Sequence, residues 1–177
     1  MRMILAAALA LAPQFALAAG SDDSEPPKPS ETTLECAKGE VWDDKTKTCI
    51  KAESSLLNDD QRYDAVRELA YADRPDEALT MLGLMTEGET ARVMTYQGFL
   101  LRQTGKVEEG IAAYERAIAL EPGNILARSY YGQLLVQMNK TDMAQAQLAA
   151  IRMYGGGDTW ADRALADAIA TGVTYTY

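Results

Sequence analysis

Three stretches of this chain fall into register when laid over one another: DRPDEALTMLGLM from Asp73, GKVEEGIAAYERA from Gly105 and NKTDMAQAQLAAI from Asn139. Such a recurrence restricts the fold more than composition does, because each copy must be one structural unit that buries its apolar side on the next. Asp73, Gly105 and Asn139 coincide, and all three residue types tolerate the left-handed backbone that ends a helix. Each therefore marks a tight turn inside a pair of helices. Pro75 follows where a helix begins, since its missing N–H costs nothing in a first turn. Small residues come next, at Ala78, Gly110 and Ala144. Beyond them Leu82, Tyr114 and Leu148, then Met85, Ala117 and Ile151, complete one helical face.

The helix before each turn supplies the partner for that face: Ala65, Val66 and Leu69, then Met94, Gly98 and Leu101, then Tyr131, Gly132 and Leu135. Glycine inside a helix costs about 1 kcal/mol against alanine, so Gly98 and Gly132 at one repeat position imply a close crossing of two helices. Pro122 and Gly123 stop the second pair, and Asn124 caps the helix that follows. On these residues the chain resembles the tetratricopeptide repeat family, whose unit is a helix, a turn and a second helix. The best match is 91–124, with Gly98, Leu101, Gly105, Tyr114, Ala117 and Pro122 at the positions the family's pattern asks for. The copy at 59–90 has Val66 where the family prefers glycine and lacks the closing proline. The copy at 125–157 lacks that proline too. The resemblance implies an all-α fold within 57–157, a right-handed superhelix of about three helix pairs.

After Gly155, Gly156 and Gly157, either Asp158 or Thr159 can cap a further helix, whose Ala161, Ala164, Leu165, Ala168 and Ile169 share one stripe and which Gly172 ends. Residues 158–172 are expected to close the apolar end of the stack. The glycines are a connector and not a phosphate loop, since no strand precedes them and no Gly-Lys-Ser/Thr follows. The alternating tail at 173–177 fits packing, fraying or addition to a sheet edge.

Ahead of the repeats, residues 1–19 have the anatomy of a secretory leader: a positive Arg2, an apolar core over 3–12, Pro13, and small residues before a cleavage point after Ala18 or Ala19. Pro13 and Gln14 break a stretch that falls short of the ~20 residues a bilayer needs, so no stable membrane insertion is expected once the leader is removed. The expectation is a periplasmic protein. Residues 20–33 carry Pro26, Pro27 and Pro29 with little to bury, and read as a disordered tether. In 34–52 apolar pairs flank a polar, turn-prone DDKTKT, which predicts a small hairpin. Cys36 and Cys49, the chain's two cysteines, are expected to close it in an oxidising compartment. Their spacing excludes a CxxC redox site, and two thiols are too few for a metal.

The chain has no histidine, which removes the commonest proton shuttle and metal ligand. Its acidic residues lie on helix faces that also carry alanine and arginine, as solvated surfaces do. The expectation is a non-catalytic protein without cofactor or metal. A net charge of −9 repels nucleic acid. The family resemblance implies a protein or peptide partner across the first helices of the pairs. Carried over by position, it points to Tyr63 and Arg67, then Arg92, Tyr96, Phe99, Arg102 and Gln103, then Ser129, Tyr130, Gln133 and Gln137. The rings of Tyr96 and Phe99 fit helix packing equally well. The lysine and asparagine clamp by which the family holds terminal carboxylates is missing. Finally, Cys36, Gly39, Trp42, Asp43 and Cys49 resemble part of an invertebrate-type chitin-binding module, which implies a cell-wall glycan as a second kind of partner, stacked on Trp42. The other reading has Trp42 plug the hairpin onto its own disulfide.

Overall fold

The structure is a computed structural model that describes residues 25–174. The leader at 1–19, residues 20–24 of the tether and residues 175–177 of the tail lie outside the described residues.

From the front, a helical turn α1 (Glu31–Leu34) leads into an antiparallel hairpin of β1 (Glu40–Asp43) and β2 (Thr48–Lys51). Trp42 pairs with Cys49 in its register, and a Cys36–Cys49 disulfide closes the loop. Three helix pairs follow: α2 (Asp59–Tyr71) with α3 (Pro75–Leu82), α4 (Ala91–Gln103) with α5 (Val107–Leu120), and α6 (Ile125–Gln137) with α7 (Thr141–Met153). A last helix, α8 (Trp160–Thr171), lies against both α6 and α7.

The recurrent turns do what their residue types allow. Asp73, Gly105 and Asn139 all take positive φ, at 56°, 82° and 57°. Polar caps satisfy the free N–H groups where the first helices begin. Asn58 and Gln61 form a reciprocal capping box on α2, Thr90 accepts from Val93 N, and Asn124 accepts from Ala127 N. Thr159 caps α8 and Gly172 ends it with φ 73°.

Consecutive pairs pack so that α2 touches α4, α4 touches α6 and α6 touches α8, which makes these four helices the inner row. One apolar core runs from Val41, Ala52 and Leu57 of the front segment through Val66, Ala78, Leu100, Tyr114 and Ala117 to Ile151 and Leu165. Gly98 lies so close to α5 that a Cβ there would fall 2.6 Å from Tyr114 Cδ1. At Gly132 the close neighbour is Leu165 of α8, with a Cβ at 2.5 Å from its Cδ2. The close crossing expected at both glycines is present, but at Gly132 the crossing partner is the closing helix.

Two expectations change. Helix α3 ends at Leu82, so Met85 packs on the core from outside the helix that was expected to carry it. The tether does not run free to residue 33. Glu68 of α2 accepts from Ser30 N and Ser30 Oγ, both at 2.6 Å, from Thr33 N at 3.1 Å and from Thr33 Oγ1. A carboxylate with that many donors fixes the segment, whatever its composition favours.

The hairpin is likewise built into the repeats. Arg62 Nε donates to Ala52 O at 3.2 Å and its Nη2 to Ser54 O at 2.9 Å, while Gln61 reaches Asp43. Further on, Asp59 Oδ2 accepts from Thr86 N at 2.7 Å, Thr86 Oγ1 at 2.9 Å and Glu87 N at 2.8 Å, tying α2 to the loop before α4. The Asp59 carboxyl is raised by burial, but the Thr86 and Glu87 donors and Arg62 outweigh that and hold it below its ordinary value.

Candidate protein-interaction face

The side chains that the inner row directs inward meet each other before they meet solvent. Tyr63 of α2 contacts Tyr96 of α4 edge-on at 5.5 Å between ring centroids. Tyr96 and Phe99 both reach Tyr130 of α6, at 6.2 and 4.6 Å, and Tyr130 reaches Trp160 of α8 at 6.3 Å. Tyr71 stacks on Phe99 at 6.1 Å and shares a hydrogen bond with Tyr130 between hydroxyls at 2.6 Å. The result is an aromatic spine linking four successive inner helices. Tyr63, Tyr96, Phe99 and Tyr130 are all buried in it, Phe99 at 0% exposure. Burial pushes the Tyr96 phenol well above its ordinary value, and that phenol hydrogen-bonds the side chains of Arg67 and Tyr130.

These positions correct the expectation that the four rings offer contact area to a partner. Of the two readings open for Tyr96 and Phe99, packing is the one the structure supports. Large rings that face inward on adjacent helices close over one another, which gains dispersion and excludes water.

Ser129 and Gln133 are also corrected, because α8 covers them. Ser129 Oγ donates to Ala161 O at 2.8 Å, and Gln133 Nε2 donates to Ser129 Oγ at 3.4 Å. Arg102 is buried too, with Nη1 directed at Tyr130 O at 3.4 Å and its guanidinium over the Phe99 ring. Buried Arg67 donates through Nη2 to the backbone carbonyl of Glu25 at 2.8 Å. Arg92 is half-buried and clamped. Its Nε and Nη2 reach Glu87, its Nη1 reaches Asp60, and the guanidinium lies 4.8 Å above the Tyr63 ring. Those carboxylates, Glu87 first, hold its proton more tightly than in free arginine.

Two expected residues remain available. Gln103 is half-buried, and its Oε1 is a buried acceptor with no hydrogen-bond partner. Gln137 is exposed, and its Nε2 donates to Thr174 Oγ1 at 2.5 Å. Tyr71, Gln103 and Gln137 each stand two residues before a turn residue, so they occupy one repeat position along the inner row. Tyr71 was missed by position-by-position transfer, although that shared spacing identifies it. Arg62 and Glu68 carried no local signal, since their partners lie elsewhere in sequence. Trp42 is half-buried at the hairpin, with its indole N–H on Asp44 Oδ1 at 3.3 Å.

Among the described residues, no group of three or more His, Cys, Asp or Glu side chains is placed to hold a metal ion, and no helix is long and apolar enough to cross a membrane. Stacked helix pairs with an inner row and a closing helix define a helical-repeat protein. Residues 101–168 match the family model described as Tetratricopeptide repeat, a span from the end of α4 into α8. Over that span the chain is similar to tetratricopeptide-repeat proteins, and that class points to a protein–protein interaction scaffold. No curated protein and no solved structure matches it.

Proposed function

We propose that this chain is a non-catalytic, periplasmic scaffold that holds an extended segment of a protein partner along the Tyr71, Gln103 and Gln137 positions of the inner row. The observation that carries the reading is Gln103 Oε1, a buried acceptor with no donor of its own on a face where the surrounding rings are already packed. A buried acceptor left without a donor costs about 1–3 kcal/mol, which a backbone N–H of a docked segment recovers when the half-buried Gln103 side chain turns out to meet it. Arg92 stands at the front edge of that row, held in place by Glu87 and Asp60. The periplasmic assignment is supported by the leader-like residues 1–19 and by the Cys36–Cys49 bond, which belongs in an oxidising compartment.

The test is site-specific photo-crosslinking in envelope extracts, with the photoreactive residue placed in turn at Gln103, at Gln137 and at the exposed outer position Ala112. A discrete protein adduct from positions 103 and 137, absent from 112, is expected. Equal labelling from all three positions, or none from the inner pair, overturns the inner-row reading. Fractionation of cells expressing the full chain, with the mass of the product, checks export independently: a product shortened by residues 1–18 or 1–19 is expected with the periplasmic fraction.

A further inference from the structure

The inner side of the first repeat already carries a segment of the chain itself. Arg67 stands six residues before its turn residue, as Phe99 and Gln133 do in the next two repeats, and there it donates to the main-chain carbonyl of Glu25. The strap that brings Glu25 to this point is anchored behind by the Ser30 and Thr33 bonds to Glu68. It has a docked side, since Pro26 and Pro27 are half-buried whereas Glu25, Lys28 and Pro29 are exposed. Its three prolines fix φ and hold the backbone extended, with little freedom left to lose on docking.

We propose that the inner side of the first repeat is a recognition site for extended, proline-bearing backbone, that residues 25–29 are its resident occupant, and that a partner segment of the same chemistry replaces them by taking over the Arg67 bond. The inference rests on the inner-row reading above and names the segment it receives. Three features carry it. With the strap in place Arg67 is buried and shares its donors between the Glu25 carbonyl and the Tyr96 phenol, so a departing strap leaves a guanidinium donor for water or another carbonyl to take up. Secondly, the contact to Glu25 is to backbone, so a second extended chain can reproduce it without copying the sequence. Thirdly, Arg67 hydrogen-bonds Tyr96, the ring that follows Tyr63 in the aromatic spine, which places the strap beside the helix that holds Gln103. Because the strap competes for the site, a partner's apparent affinity is its intrinsic affinity multiplied by the fraction of molecules in which the site is open.

The experiment uses the full chain and a fluorescent peptide of residues 25–34, EPPKPSETTL, as the probe. Three proteins are compared: the unchanged chain, the Ser30→Ala/Thr33→Val double variant that loosens the anchor on Glu68, and that double variant with Arg67→Met added. The double variant is expected to bind the peptide at least about tenfold more tightly than the unchanged chain, and the triple variant to lose that gain. Equal binding by the unchanged and loosened chains, or none by the loosened chain, overturns the proposal. Hydrogen exchange on the unchanged chain covers the case in which a variant fails to fold. The Ser30 and Thr33 amides are expected to exchange well before those at the centre of α2. Exchange together with α2 makes the strap a fixed part of the fold and ends the proposal. The position-103 adduct separates the two readings: if it persists while the peptide does not bind, only the strap inference falls.

Discussion

A single methyl group measures how tightly the second repeat is closed. At Gly98 it would press on the Tyr114 ring, which is itself fully buried and cannot turn aside. Gly98→Ala is expected to cost about 1–3 kcal/mol, the range for overpacking a filled interior, read as a lower urea midpoint. Gly132→Ala presses instead on Leu165, which is as fully buried as Tyr114, and is expected to cost a similar amount; an unchanged midpoint for either variant contradicts the account. Tyr131 gives a pH signature. Burial, with the Glu115 carboxylate that its hydroxyl reaches, pushes the phenol up to about 12. A folded value above the ordinary 10 favours the neutral form in the fold, so this contribution is whole below pH 10 and disappears as pH rises towards 12. Stability is expected to fall across that window, and Tyr131→Phe to make the fall shallower in denaturant titrations between pH 9 and 11.5. An identical slope in the variant rejects the assignment.

The elements differ in how far local sequence decides them. The turns at Asp73, Gly105 and Asn139 were legible because a left-handed residue is a local requirement, and so was the disulfide, because two cysteines leave one pairing. The fate of the inner faces was not. Helical period tells which residues point inward, but how far neighbouring helices close over them depends on side-chain size across the gap, and Tyr63, Tyr96, Phe99 and Tyr130 fill it. The hairpin is similar: its closure is local, whereas its docking depends on Arg62 reaching the carbonyls of Ala52 and Ser54. Because Val41 and Ala52 belong to the common core, reduction of Cys36–Cys49 is expected to lower the melting temperature of the whole chain, by up to the equivalent of about 3 kcal/mol of loop closure. Thermal unfolding followed at 222 nm with and without reductant checks this. An unchanged helical transition makes the hairpin an appendage.

Across the whole molecule, the shared core predicts one cooperative event. The two tryptophans report from opposite ends, Trp42 in the hairpin and Trp160 at the start of α8. Single-tryptophan variants made by Trp42→Phe and Trp160→Phe are expected to show each remaining fluorophore unfolding at the same urea concentration as the helical signal. Two midpoints show that the ends come apart separately. The closures at both ends also bear on how a relative with more repeats could arise. The hairpin belongs to the first pair through Arg62, and α8 belongs to the third through Ser129 and Gly132, so an extra unit joined outside either would have to rebuild those bonds. Residues 91–124 bond to the neighbouring pairs, Arg92 to Asp60 and Arg102 to Tyr130, and a tandem duplication of that stretch is expected to lengthen the array while both ends stay as they are.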